Sequence, residues 1–433
     1  MILVAGLGIT GQSVIRYLRH NQQSCIGFDT REDFAVDELQ EQFPSVSFYT
    51  GVLNRTVTQQ ITKIILSPGI SLSEHWLTRF KQKNIPIIGD IELFAQVATQ
   101  PIISITGSNG KSTVTSLVSA LLTEAGYRVG MGGNIGIPAL DLLVDVIDYD
   151  VYVLELSSFQ LETTYSLHSI SATVLNISED HMDRYDSLQD YIHAKQRIFN
   201  HAKTIVLPAS EKKLTPLSNV QFFGDTQQIT LKGQQIMEAD EMALKGKHHV
   251  LNAQAAVALT APFNLSIDNY QSVFKRFKGL AHRTQLVLEK NGVRWINDSK
   301  GTNVGATMTA IESFGLPTKN IILIAGGVGK GADFSLLSES INQYCQQVIL
   351  FGRDAQKMAQ AIEKSIPHHS LVVLSELSQA VEHANKSANK AIKQVDTVLF
   401  SPACASFDQF KNYIHRGEVF ETLVQKIKDP DYV

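Results

Sequence analysis

A glycine-rich turn that ends in lysine and serine is the strongest chemical signal in the chain. The turn has the sequence Thr106-Gly107-Ser108-Asn109-Gly110-Lys111-Ser112-Thr113 and lies between a predicted strand and a predicted helix. Backbone N–H groups of such a turn, together with the helix N-terminus, bind polyphosphate. Lys111 would contact the outer phosphates and the Ser112 hydroxyl would bind Mg²⁺. The full phosphate-loop pattern has glycine where this chain has Ile105, so a turn of small residues that merely opens a helix is the alternative.

An acidic residue and an imidazole follow the next two predicted strands. Glu155 and His181 stand just past the ends of these strands. In an open parallel sheet, residues at the carboxyl ends of strands line the ligand crevice, which predicts both side chains near the Lys111 turn. A carboxylate and a neutral imidazole suit Mg²⁺, directly or through water. Taken singly, each is also typical of a surface or helix-start residue. By its pattern alone, Lys195 is an ordinary solvated helix lysine.

A second glycine turn lies at the start of the chain. It has the sequence Gly6-Leu7-Gly8-Ile9-Thr10-Gly11. Asp29 ends the next predicted strand, which completes a dinucleotide-binding pattern. A tight turn without a ligand is the alternative. Because the Lys111 turn is a second phosphate-binding candidate, two nucleotide sites must be explained, and a simple dehydrogenase explains only one.

Three polar loops near the C-terminus also follow predicted strands. Residues 298–303 and 326–334 each combine a strand end with a lysine, and residues 401–408 place Ser401 and Ser406 after another strand. A lysine in a glycine-rich loop suits an anionic group, and a serine pair suits a carboxylate. Flexible loops or plain turns are the alternative. No partner histidine identifies Cys404 as a nucleophile.

Short apolar runs alternate with helical stretches, which predicts βαβ order and mainly parallel sheets in an α/β protein. Predicted strands cover residues 2–5, 24–28, 63–66, 85–88, 102–106, 151–154, 173–176, 295–296, 321–325, 347–351 and 397–400. Predicted helices cover 12–20, the stretch after Ser112 to about Ala125, and 253–260. Residues 210–245 are polar with short β-like pieces. The predicted domains are 1–89, 90–279 and 280–433.

Composition sets broad limits on function. The chain has 433 residues, 44% of them hydrophobic and 18% charged, with a formal net charge of −4. That charge gives no overall attraction to nucleic acid or to acidic membrane surfaces. No apolar run approaches the roughly 20 residues of a membrane span, and the three cysteines form no zinc or disulfide pattern. A monomeric cytoplasmic enzyme, without nucleic-acid or membrane partners, is the expectation.

Taken in order, these motifs resemble those of the Mur ligases. The shared pieces are the shortened phosphate loop, Glu155, His181, Lys195, Asn252, His282-Arg283 and Asp298-Ser299-Lys300. Folate polyglutamate ligases are similar in much of this set. Three further segments resemble the Mur ligases that add D-glutamate to UDP-N-acetylmuramoyl-L-alanine: the N-terminal glycine turn with Asp29-Thr30-Arg31, Leu66-Ser67-Pro68-Gly69-Ile70, and residues 401–410. The resemblance covers essentially the whole chain.

The resemblance implies three domains: a Rossmann-like N-terminal domain that binds the UDP moiety, a central P-loop-type ATPase domain, and a Rossmann-like C-terminal domain that binds the amino acid. It implies ATP and two Mg²⁺ ions as cofactors. The implied catalytic residues are Lys111, Glu155, His181 and Lys195. The implied metal ligands are Ser112, Glu155, His181 and, as a carbamate, Lys195.

The resemblance also implies three substrate-binding sets. Implied ATP contacts are Gly107, Ser108, Asn109, Gly110, Lys111, Ser112, Thr113, Asn252, Arg283 and Asp298. Implied UDP-substrate contacts are Ile9, Thr10, Asp29, Thr30, Arg31, Ser67, Gly69, Asn134 and Ser157. Implied D-glutamate contacts are Lys300, Thr302, Lys330, Ser406 and Phe407. The chain departs from the family pattern at Val328, where an acid is frequent, and at Gly301, where alanine is common.

Three alternatives stay open from sequence. The first is a related ligase that adds another amino acid or extends folate. The second is an NAD-dependent dehydrogenase built on the Gly6 turn. The third is a non-catalytic nucleotide-binding module.

Overall fold

The computed structural model describes residues 1–182, 184–214, 219–224, 226, 228–231, 233–363, 370–390 and 395–428. These residues form two compact units. The first comprises Met1–Ile177, Ser187–Met242 and Leu251–Arg276, and the second comprises Ser178–Asp186, Ala243–Val250 and Phe277–Val433. The first unit contains two parallel sheets and the second contains one mixed sheet. The predicted α/β class with mostly parallel sheets is confirmed.

The N-terminal sheet is wholly parallel and has the strand order β3-β2-β1-β4-β5. Its strands are β1 (Ile2–Ala5), β2 (Cys25–Asp29), β3 (Ser47–Thr50), β4 (Lys63–Leu66) and β5 (Ile87–Ile88). Its helices are α1 (Ile9–His20), α2 (Asp37–Gln42), α3 (Arg55–Gln60), α4 (Thr78–Lys81) and α5 (Asp90–Ala95). The strand order reverses between β1 and β4, and ligands of such sheets bind outside the carboxyl ends of strands at this point.

The central sheet is also parallel and has the order β11-β10-β9-β6-β8-β7. Its strands are β6 (Ile102–Thr106), β7 (Val129–Gly133), β8 (Val151–Glu155), β9 (Ser171–Val174), β10 (Thr204–Pro208) and β11 (Val220–Phe223). A small antiparallel hairpin follows, β12 (Ile229–Leu231) and β13 (Gln234–Met237). The helices are α6 (Lys111–Glu124), α7 (Ser158–Glu162), α8 (Leu188–Gln196), α9 (Lys247–Thr260) and α10 (Ile267–Arg276). Because β6 lies between β8 and β9, the loops after these three strands meet at one edge.

The C-terminal sheet has the order β14-β15-β19-β16-β17-β18, antiparallel only between β14 and β15. Its strands are β14 (Gln285–Lys290), β15 (Val293–Asn297), β16 (Ile321–Gly326), β17 (Cys345–Phe351), β18 (Leu371–Val373) and β19 (Thr397–Phe400). Its helices are α11 (Val304–Phe314), α12 (Ser338–Tyr344), α13 (Ala355–Ile362), α14 (Leu377–Lys390) and α15 (Tyr413–Lys428). The adjacency of β15, β19 and β16 brings their three polar loops together.

The described residues also form short 3₁₀ helices, at His75–Leu77, Ala139–Leu143, Arg197–Phe199, Ala209–Leu214, Ala239–Glu241, Ala261–Phe263 and Phe334–Leu337. No helix in the described part of the chain combines the length and apolar character needed to cross a bilayer.

Most predicted strands are confirmed. Residues 63–66 and 397–400 form strands with the predicted bounds. Outside the polar stretch 210–245, the prediction missed β3, β7, β10, β14 and β18. Strand β3 carries only partly buried or exposed residues, and β7 contains three glycines, so neither shows the buried β-branched run that marks a strand. In the polar stretch 210–245, residues 215–218, 225, 227 and 232 lie outside the described part, and the remainder contains β11, β12 and β13.

Candidate active site

The central glycine turn is shaped by close backbone approaches. Gly110 has φ +81°, and a Cβ there would lie 2.9 Å from the Asn252 Oδ1. Glycine therefore avoids both a strained conformation and a clash. The loop after β9 braces the turn, since the Ser108 N–H donates to the Asn176 carbonyl at 3.0 Å and the Asn109 N–H donates to the Asn176 side-chain oxygen at 2.8 Å. The turn is held open as a rigid cradle at the N-terminus of α6.

Lys111 is folded over this cradle. Its Nζ donates to the carbonyl oxygens of Gly107 and Ser108, both at 2.9 Å. The ammonium group therefore lies beside the backbone that would surround a phosphate. A cation at the mouth of a backbone N–H cradle is the arrangement that binds a polyphosphate.

Glu155 lies beside the start of α6. It ends β8, is 3% exposed, and accepts a hydrogen bond from the Ser112 hydroxyl through Oε2. Its other oxygen accepts from the Asn134 amide at 3.0 Å. The structure thus brings Glu155 to the Lys111 turn, as the rule for residues at the carboxyl ends of parallel strands predicted.

This oxygen-rich corner fits a hard divalent cation. Mg²⁺ is typically held by one or two protein oxygens, with water and substrate phosphates as the other ligands. The Ser112 hydroxyl and the Glu155 carboxylate supply such a pair. Among the described residues, no group of three or more His, Cys, Asp or Glu could hold a metal by itself.

Lys195 is buried, and the prediction of a solvated helix lysine was wrong. It is 2% exposed, and its Nζ donates to the Gly107 carbonyl at 3.0 Å and contacts the Thr106 hydroxyl at 3.4 Å. The Nζ also lies 4.5 Å from the centre of the Tyr191 ring, and the Tyr191 hydroxyl lies 3.1 Å from the Ser108 Oγ. Helix α8 packs against the cradle, and a single lysine in a short helix carries no sequence signal of that packing.

The N-terminal glycine turn is paired with a carboxylate. The Leu7 N–H donates to Asp29 Oδ2 at 3.0 Å, and the Arg31 guanidinium donates to both Asp29 oxygens, at 2.8 and 3.0 Å. Burial alone raises the pKa of Asp29, but these hydrogen bonds outweigh it and hold the pKa below its ordinary value. The Ser67 hydroxyl donates to the Gly6 carbonyl at 2.8 Å and joins the loop after β4 to the turn.

The other predicted UDP-substrate residues lie on the same first unit. Ile9 is 74% exposed at the start of α1, so its apolar side chain is available for contact. Thr10 is in the first turn of α1, and Thr30 follows β2. Gly69 is exposed in the loop after β4, and Ser157 caps α7 by accepting from the Gln160 N–H.

In the second unit, the Asp180 carboxylate lies close to two predicted site residues, His181 and Lys330, and to Asn303. The Lys330 Nζ lies 3.6 Å from Asp180 Oδ1, and the Asn303 amide donates to Oδ2 at 3.0 Å. His181 follows with its ring nitrogen 3.7 Å from the same carboxylate. His181 and Lys330 both have positive φ values, +58° and +50°, which is uncommon for residues other than glycine.

The three strand-end loops hold the remaining predicted residues. Lys300 places its Nζ 4.2 Å from the centre of the Tyr413 ring, and the Thr302 N–H donates to the Lys300 carbonyl at 2.8 Å. Ser406 is 2% exposed, whereas the Phe407 side chain is 73% exposed. The side chains of these neighbours therefore face different surroundings.

Asp298 is a buried acid at the end of β15. Its Oδ2 accepts from the Ser401 hydroxyl at 2.7 Å and its Oδ1 accepts from the Thr284 N–H at 3.1 Å, directly after Arg283. Burial raises the pKa of Asp298 to about 7, although these hydrogen bonds lower it in part. A Cβ at Gly301 would lie 2.6 Å from both Asp298 Oδ2 and Ser401 Oγ, so glycine there leaves room for this pair.

Val328, where an acid is frequent in the family, is held through its backbone. Its N–H donates to the Ala405 carbonyl at 2.8 Å and its carbonyl accepts from the Ala405 N–H at 2.9 Å. The carboxylate beside Lys330 is instead that of Asp180.

Sequence reasoning did not single out Asn176, Asp180, Tyr413 or Arg416. Asn176 and Asp180 follow a predicted strand end and were open to the same argument as Glu155. Tyr413 and Arg416 lie at the start of α15, where no motif marks them.

Comparisons with known proteins agree with this geometry. Residues 1–89 match the Mur ligase MurD-like N-terminal domain, residues 105–260 the Mur ligase middle domain, and residues 282–404 the Mur ligase, glutamate ligase domain. The UDP-N-acetylmuramoylalanine–D-glutamate ligase of Hydrogenovibrio crunogenus is 52% identical, with 98% of each chain covered. The protein of the same name from Legionella pneumophila is 42% identical, covering 98% of this chain and 99% of that one.

Solved structures share the fold at low identity. A pseudomurein peptide ligase type C from Methanothermus fervidus superposes with a TM-score of 0.59 at 17% identity, covering 98% of this chain and 99% of that one. A folylpolyglutamate synthase from Mycobacterium tuberculosis gives 0.59 at 15% identity, covering 79% and 95%. An α/β architecture with a glycine turn suited to a polyphosphate is the class that fold and site define. The chain belongs to the Mur ligase family, whose members use ATP.

Proposed function

We propose that this protein joins the amine of D-glutamate to the alanyl carboxyl group of UDP-N-acetylmuramoyl-L-alanine, with cleavage of ATP to ADP and phosphate, in peptidoglycan precursor synthesis. The observation that carries the ligase chemistry is the pairing of Ser112 with Glu155 beside Lys111 at the phosphate cradle. The full-length relatives at 52% and 42% identity support the choice of substrates.

The proposed reaction has two steps. A carboxylate does not accept an amine directly because oxide is not a leaving group. The alanyl carboxylate oxygen therefore attacks the γ-phosphorus of ATP, the bond to ADP breaks, and an acyl phosphate forms. The neutral amine of D-glutamate then attacks the acyl carbon, loses a proton and expels phosphate.

Lys111 offsets the repulsion in the first step. The substrate carboxylate and the γ-phosphate are both anionic, and a cation fixed in a water-poor cleft stabilises the charge that they share in the transition state. The cradle residues Gly107, Ser108 and Asn109 hold the phosphates, and the fixed turn aligns the reacting atoms.

Two Mg²⁺ ions form part of the proposal. Ser112 and Glu155 would hold one, and His181 with a carbamylated Lys195 would hold the other. Bound Mg²⁺ supplies positive charge against the phosphates. Lys195 is buried beside the Gly107 carbonyl of the cradle, and a carbamate there would replace the desolvated cation by an anionic oxygen ligand for the metal.

The amino-acid pocket is proposed in the second unit. D-Glutamate carries two carboxylates, and the loops after β15 and β16 carry Lys300 and Lys330. Ser406 adds a hydroxyl donor on the third loop. Asn252, Arg283 and Asp298 complete the ATP contacts. We place the reaction in the cytoplasm, catalysed by a monomer without nucleic-acid or membrane partners.

The direct test is product mass and phosphate release from purified protein with ATP, Mg²⁺, UDP-N-acetylmuramoyl-L-alanine and one amino acid at a time. Release should require both substrates, and the product should gain one glutamyl residue from D-glutamate and none from L-glutamate. Equal release without the acceptor or amino acid would overturn the proposal. Preference for another amino acid, or for a folate, would assign a related ligase instead.

A further inference from the structure

Arg416 is a fully buried arginine near the start of α15. Its side chain is 0% exposed, and within the described part of the chain it forms no ion pair with a carboxylate. Desolvating a guanidinium without a carboxylate is costly, and an apolar side chain of similar size would avoid that cost. The hydrogen bonds that the guanidinium donates offset this cost.

Those hydrogen bonds join two loops of the proposed amino-acid pocket. Nε donates to the Ser299 hydroxyl at 3.0 Å and one terminal nitrogen donates to the Ser299 carbonyl at 2.7 Å. The other terminal nitrogen donates to the Cys404 carbonyl at 3.0 Å. Ser299 belongs to the loop after β15 and Cys404 to the loop after β19, so one planar group sets their separation.

The third loop closes on the same point. Val328, after β16, pairs through its backbone with Ala405, the neighbour of Cys404. A Cβ at Gly327 would lie 2.4 Å from the Ala405 carbonyl oxygen and 3.3 Å from the Arg416 guanidinium. The three loops therefore meet around Arg416 with no space for larger side chains.

Each anchored residue stands within two positions of a proposed ligand for D-glutamate. Ser299 precedes Lys300, Cys404 is two residues before Ser406, and Val328 is two residues before Lys330. The Ser299 hydroxyl also donates to the Tyr413 carbonyl at 2.8 Å, and the Tyr413 ring lies under the Lys300 Nζ. A shift at Arg416 would therefore move all three polar groups relative to one another.

We propose that Arg416 is a positioning residue that sets the spacing of Lys300, Ser406 and Lys330, and thereby the fit of a dicarboxylic amino acid. This inference rests on the proposed function. Arg416 acts through the backbone of its neighbours and does not itself contact substrate, since it is completely buried.

The test compares Arg416→Lys with Arg294→Lys, the same change at the opposite end of β15, where Arg294 pairs with Asp396. Lysine keeps the charge but cannot span both loops with a planar fork. Misplacement of about 1 Å costs up to about a hundredfold in rate, so we expect KM for D-glutamate to rise at least about tenfold. KM for ATP and for the UDP substrate should stay within about twofold, and discrimination between D- and L-glutamate should fall.

Ser299→Ala is the second variant, in case Arg416→Lys fails to fold. It removes one partner of the guanidinium and should raise KM for D-glutamate in the same selective way, by a smaller factor. An unchanged KM for D-glutamate in folded variants, or an equal rise for all three substrates, would overturn the inference. Absence of D-glutamate ligation by the unaltered protein would instead reject the proposed function.

Discussion

Two glycine turns in the first unit have the same local design and opposite electrostatics. Each follows a buried parallel strand and opens a helix, β1 into α1 and β6 into α6. At the first turn, the Asp29 carboxylate occupies the Leu7 N–H. At the second turn, the ammonium groups of Lys111 and Lys195 both donate hydrogen bonds to the Gly107 carbonyl.

The difference separates two kinds of ligand. At the first turn the Leu7 N–H is already bound by the Asp29 carboxylate, which Arg31 neutralises in part, so this N–H is not available to a phosphate. A turn with two lysines attracts a triphosphate. The glycine spacing reports only that the chain bends closely, and the neighbouring charge decides what binds there.

The largest predicted effect is at the second turn. Lys111→Ala should lower kcat at least about a hundredfold, because it removes charge stabilisation of several kcal/mol from the transition state. Steady-state phosphate release measures the loss. Asp29→Asn is the control, since it leaves kcat near the original value. A Lys111→Ala rate within about threefold of the unaltered protein would contradict the assignment of the cradle.

The glycines of the first turn should separate folding from binding. A Cβ at Gly11 would lie 1.9 Å from the Gly6 carbonyl oxygen, whereas a Cβ at Gly8 would meet nothing within 4 Å. Gly11→Ala should therefore lower the free energy of unfolding by about 2–3 kcal/mol. Gly8→Ala should leave it nearly unchanged and, if the UDP substrate binds at this turn as proposed, should weaken its binding by filling the open space. Thermal unfolding and substrate KM distinguish the two, and equal melting temperatures would show that the turn relaxes freely.

Asp29→Asn should affect one substrate only. It weakens the charge-assisted hydrogen bonds that Asp29 accepts from Leu7 and Arg31, and so loosens the pocket formed by the turn. We expect KM for the UDP substrate to rise about tenfold, a cost of about 1.4 kcal/mol. KM for ATP is the internal reference. An equal rise in KM for ATP would contradict the assignment of the two turns to different substrates.

The smallest effect is in the acid dependence of stability. Because the folded-state pKa of Asp29 lies below its ordinary value, its stabilising contribution is present above about pH 4 and is lost as pH falls through the folded-state pKa. The contribution should be under about 1 kcal/mol, since Arg31 is partly solvent-exposed. Unfolding curves of the unaltered protein and Asp29→Asn should therefore converge below pH 4. A gap that widens in acid would mean that another group carries the effect.

Sequence reasoning succeeded where the signal was local. The glycine turn between a strand and a helix was predicted from eight consecutive residues, and strands such as Lys63–Leu66 from one apolar run. Glu155 was placed correctly by a general rule about strand ends. Lys195 was misread because its burial comes from packing of α8 on a loop 88 residues earlier in the chain. Arg416 escaped notice because nothing in a helix pattern marks a contact with Ser299, 117 residues before it.

The sequence by itself determined the succession of βα units and the two glycine turns, because apolar periodicity and positive-φ turns depend on neighbouring residues. Only the tertiary structure decided that Ser112 meets Glu155, that Lys195 loses its water, and that Arg416 joins two loops. Those contacts follow from strand order and side-chain burial, which are set by packing between residues far apart in the chain.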